Sequence, residues 1–143
     1  MVRQDRTIWW KSYIDNVSLL TYDEGWSGEL TGELELIATI RERCNCYEIY
    51  GSIMHHNGGN YHSIKRLYKV PDTSVYVLTH EDTREVFSAD ECFDVVIFRG
   101  GEAVGVICLK SGEWCQLLTE EEAKKTLKSY EEDDAYYIKY EED

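Results

Sequence analysis

The chain has 143 residues, 43% hydrophobic and 13% aromatic with a single proline, which excludes disordered, collagenous and Pro-rich classes and suits one globular domain over 1–143. Its 28 acidic residues against 15 Lys and Arg give a net charge of −13, so most of the surface should repel a phosphate backbone and no direct nucleic-acid binding is expected. No apolar run approaches the roughly 20 residues that cross a bilayer, and MVRQDRTIWWKSYIDNV lacks a signal peptide's apolar stretch; the expectation is a cytoplasmic protein with no membrane attachment.

In TIWWKSYIDNVSLL, the apolar residues Ile8, Trp9, Tyr13, Val17 and Leu20 recur every three or four positions. That spacing predicts an amphipathic N-terminal helix, with two short strands as the competing reading because Trp, Tyr, Ile and Val favour sheets. From Glu29 the period falls to two. Leu30, Leu34, Leu36, Ala38 and Ile40 alternate with Thr31, Glu33, Glu35 and Thr39, a strand with one wet face that Ile37 interrupts. Tyr47, Ile49 and Ile53 continue in the opposite phase, which places a turn or bulge at residues 41–45.

Residues 54–62, MHHNGGNYH, suit a hairpin connection, because glycine and asparagine tolerate positive φ. YHSIKRLYKV then puts Ile64, Tyr68 and Val70 on one face with Leu67 out of step. Pro71-Asp72 predicts a turn into a strand over 74–80. Val95–Phe98 and Ala103–Leu109 flank Arg99-Gly100-Gly101-Glu102, a tight hairpin signal, and Lys110–Glu113 offers a second turn into Trp114–Leu118. These three strands are expected to form a central meander. Thr119 with Glu122 reads as a capping box opening a helix whose buried face is Ala123, Leu127 and Tyr130; EEDD at 131–134 ends it, and AYYIKY returns as an edge strand. The fold class expected is α+β: a mostly antiparallel sheet of five to seven strands with a C-terminal helix and the N-terminal one.

Chemistry is thinly advertised. The Walker A, dinucleotide-binding, HExxH and GxSxG patterns are all absent, and no cofactor is expected. His55 and His62 could meet across a hairpin, with Cys44 or Cys46 completing a zinc site, but neighbouring strand residues such as His55 and His56 point to opposite faces. These residues, with Glu48 and His80, define one alternative: a small His/Cys-site enzyme or metal-binding domain. The five cysteines, an odd number, read mainly as reduced thiols in or near a core.

Charge is the stronger pointer. Residues 22–35 hold five acids and no base, 81–102 seven acids against two bases, and 120–143 ten against four. The function expected is a non-enzymatic protein-binding domain, an acidic inhibitor or antagonist of a basic nucleic-acid-binding protein, using Glu33, Glu35, Glu121, Glu131, Glu132, Asp133 and Asp134. Trp10 is the expected aromatic anchor, since one of two adjacent indoles must leave the apolar face. A further alternative is a structural protein that self-associates as a homodimer through a sheet edge.

Overall fold

Asp15 and Asn16 both take positive φ, 47° and 65°, and this two-residue turn, rather than the spacing of apolar residues around it, decides the N-terminal structure. In the computed structural model, which describes residues 8–22, 27–42, 47–50, 53–56, 63–82, 92–110 and 113–141, the segment is an antiparallel hairpin of β1 (Ile8–Ile14) and β2 (Val17–Tyr22). The N-terminal helix expected from sequence is therefore absent. An Asp-Asn pair matches the twist of a tight hairpin, while a helix would have kept both residues at negative φ.

Among the described residues the remaining strands are β3 (Glu35–Glu42), β4 (Tyr47–Tyr50), β5 (Ile53–His56), β6 (Ser63–Lys69), β7 (Val75–Asp82), β8 (Cys92–Arg99), β9 (Glu102–Lys110), β10 (Trp114–Thr119) and β11 (Tyr136–Tyr140), with one helix, α1 (Glu120–Glu132). Nine strands form two antiparallel sheets, of order β1-β2-β8-β9 and β10-β7-β6-β3-β11. Among the described residues, strands β4 and β5 pair only with each other. The mostly antiparallel architecture with a C-terminal helix is as expected, but the strands exceed the five to seven anticipated. They divide into two layers because one sheet cannot cover so many apolar positions.

Val17, Leu19, Val95, Ile97, Val104 and Leu109 of the four-stranded sheet meet Val75, Val77, Cys115 and Leu117 of the five-stranded one in a single core. Each fully buried Val, Leu or Ile there contributes about 1.5–3 kcal/mol relative to exposure. On the opposite face of the five-stranded sheet, Leu67, Leu78 and Leu118 pack against Ala123 and Leu127 of α1. This explains why Leu67 reads out of step with Tyr68: β6 is covered on both sides, so neither phase of its alternation is wet. At Ile37, β3 carries a bulge between Leu36 and Ala38, which turns Ile37 toward the helix side.

The three-strand meander is corrected too. β8 and β9 form the expected hairpin, with Gly100 and Gly101 at φ 60° and 90°, but β10 crosses to the edge of the other sheet, and β9 is an edge strand. Two contacts tie the layers at their ends. Arg99 Nη1 donates to the Pro71 carbonyl at 2.6 Å, and both the N–H and the hydroxyl of Thr31 donate to the Ala103 carbonyl at 2.9 Å. Residues 27–34 thus pass beside β9 before entering β3. Leu34 packs so tightly on Gly105 that a Cβ there would lie 2.6 Å from Leu34 Cγ.

Candidate functional site

The stretch EEDDAYYIKY turns the end of α1 into the outermost strand of the five-stranded sheet. Asp133 makes the turn by itself: its N–H donates to the Tyr130 carbonyl at 3.3 Å, its Oδ1 accepts from the Ala135 N–H at 2.9 Å, and its carbonyl accepts from the Tyr136 N–H at 3.1 Å. The last turn of α1 contains no basic residue, and Glu131, Glu132, Asp133 and Asp134 are all exposed. Four carboxylates therefore sit at the negative end of the helix dipole, where electrostatics favours cations.

Beneath them lies an aromatic bracket. Tyr130 and Tyr136 meet edge to face at 4.6 Å, and the buried Lys65 ammonium is 5.3 Å from each ring centroid while donating to Ser63 Oγ at 2.8 Å. Burial raises the pKa of both tyrosines; for Tyr136 the carboxylates of Glu42 and Asp133 add to it. The Tyr140 hydroxyl bonds to Glu131, and partial burial together with that anionic partner pushes the phenol up to about 12. Tyr140 remains a neutral donor at physiological pH.

β11 pairs with β3 on one side, Tyr136 opposite Glu42 and Tyr140 opposite Ala38, and no described strand lies on its other side. Tyr137 is 56% exposed. With Thr39, Arg41, Lys139 and Glu141 it lines a hollow of about 290 Å³.

A second concavity, of about 470 Å³, opens between the sheets. Leu30, Leu34, Ile107 and Leu109 give it apolar walls; Glu33, Glu81 and Glu113 bring carboxylates, and Arg66 is the one cation of the lining among the described residues. Arg66 pairs with Glu81 at 3.2 Å. Burial raises the pKa of Tyr68 in the same wall, and the Arg66 charge opposes the rise. Glu33 is thus placed at this cleft, whereas Glu35 is exposed at the start of β3 and Glu121 in the first turn of α1. The expected partner-binding acids do not share one place; only the four from Glu131 to Asp134 are contiguous.

Comparison with protein-family models, curated proteins and solved structures finds no match.

Of the expected metal ligands, Cys44, Cys46 and His62 lie outside the described residues. His55 is on β5, opposite Glu48 in register. The side chain of Trp10 is also outside what the structure describes, although its backbone belongs to β1. Among the described residues no three His, Cys, Asp or Glu side chains are grouped to hold a metal ion. Cys115 is a core thiol, pushed up to about 12 by burial, while Cys108 is exposed.

One pair escaped the sequence altogether. His80 and Trp114 stack with centroids 3.6 Å apart and planes 6° from parallel, and Trp114 is still 50% exposed. They stand opposite each other in the β7–β10 register, 34 residues apart in sequence, so no local pattern could have joined them.

Proposed function

We propose that this domain is a non-enzymatic protein-binding module that engages a basic protein, as an acidic inhibitor or antagonist of a nucleic-acid-binding partner would. The observation that carries the reading is the uncompensated acid run from Glu131 to Asp134 at the helix C-terminus. Glu131 and Asp133 are held by the Tyr140 hydroxyl and the Ala135 N–H, but Glu132 and Asp134 are placed against the dipole, which folding alone disfavours by about 0.3–1 kcal/mol each at low ionic strength. A cationic partner reverses the sign of this interaction. The acidic lining of the inter-sheet cleft and the net charge of −13 support the same preference by attracting basic surfaces from a distance.

The test is a titration with a lysine- and arginine-rich peptide of about 20 residues at low and at about 0.5 M salt, where the Debye length falls to a few ångströms. Binding that weakens at least about tenfold across that range is expected. Equal affinity at both salts, or no binding at low salt, would sink the charge mechanism.

A further inference from the structure

We infer that β11 is a docking edge at which an extended basic segment of the partner adds as a sixth strand of the five-stranded sheet. The inference rests on the proposed binding of a basic protein and assigns it a place and a partner conformation.

The hydrogen-bond phase supplies the first argument. The Glu141 N–H donates to the Ile37 carbonyl at 2.9 Å, so Tyr137, Lys139 and Glu141 aim their backbone groups at β3, while Ile138 and Tyr140 aim theirs outward. Tyr136 shares the outward phase, but its N–H is already held by Asp133. Among the described residues no backbone group pairs with the outward edge of Ile138 and Tyr140.

Charge selects the occupant. Acids flank β11 on both sides: Glu131 to Asp134 before it, Glu141 and the acidic residues that follow it in sequence after it. A second copy laid antiparallel on this edge would set one acidic flank against the other, and like charges facing each other across strands are destabilising. A basic strand meets opposite charge at both ends.

Side-chain alternation then fixes its pattern. Tyr136, Ile138 and Tyr140 project to the face where Glu131 bonds to Tyr140, whereas Tyr137 and Lys139 project to the face that carries Arg41. An incoming strand therefore places cations on the Glu131 side and uncharged residues over Tyr137. The incoming strand runs antiparallel to β11, so its cationic residues, opposite Ile138 and Tyr140, supply the N–H groups that reach β11.

The probe is a peptide of about eight residues alternating Lys and Thr, compared with one N-methylated at its lysines and one N-methylated at its threonines. The unmethylated and threonine-methylated peptides are expected to bind about tenfold more tightly than the lysine-methylated one, which keeps its charge and loses the donors. Binding should also slow amide exchange at Ile138 and Tyr140. Equal affinity for all three peptides overturns the edge assignment and leaves the charge reading standing; binding of none at low salt overturns both. A dimeric mass, with those two amides protected in the absence of peptide, would overturn it in favour of a second copy.

Discussion

His80 sits where its charged form has little to gain. Burial, and secondly the Lys65 ammonium opposite it in the β6–β7 register, hold its pKa down at about 4, and its Nε2 is buried without a partner among the described residues. The unfolded chain takes up this proton near the ordinary histidine value of about 6.5, the folded one only near 4. Between those values the unfolded state binds more protons, so this histidine subtracts stability as pH falls through the window and adds no further loss below it. The ring is only partly buried, and after discounting for solvent screening the loss is about 1 kcal/mol. His80→Phe keeps a flat ring against Trp114 and removes the titration. Urea unfolding at pH 7 and pH 4 is expected to show the wild type losing about 1 kcal/mol more than this variant; equal losses would contradict the assignment.

The helix was legible in sequence because its determinants are local. Thr119 Oγ1 accepts from the Glu122 N–H at 3.2 Å and Glu122 Oε1 accepts from the Thr119 N–H at 3.0 Å, the capping box the sequence announces, and Ala123, Leu127 and Tyr130 face inward as their spacing requires. At the N-terminus the helical reading fails and the competing two-strand one holds: the 3–4 spacing is incidental, and the Asp15-Asn16 turn outweighs it. At the far end of α1, stability and binding pull against each other. Glu132→Gln with Asp134→Asn is expected to raise the unfolding free energy by about 0.5 kcal/mol by relieving the dipole, and to weaken the basic peptide about threefold. Chemical denaturation and a peptide titration of the same variant check both signs. A loss of stability would show that these carboxylates do structural work.

Across the whole molecule, the close approach of the layers turns on a few contacts that connect distant segments. Gly105 leaves room for Leu34 where residues 27–34 pass from beside β9 into β3. Gly105→Ala forces Leu34 or the strand to shift and is expected to destabilise the fold by about 1–3 kcal/mol, read as a lower urea midpoint with an unchanged slope. No loss of stability would mean that the layers adjust freely there. The same assembly dispersed the acids: Glu33 lines the inter-sheet cleft, Glu35 opens β3, and Lys124, Lys125 and Lys128 separate the acidic ends of α1.

The sequence by itself determined what depends on neighbours within a few residues: the Gly100-Gly101 and Pro71-Asp72 turns, the capped helix, the strand that follows it and the acid run between the two. Tertiary structure alone decided how strands are shared between two sheets, why β6 is apolar on both faces, how His80 meets Trp114, and that β11 pairs with β3. Alternation states only that a strand has faces, whereas what covers each face depends on segments tens of residues away.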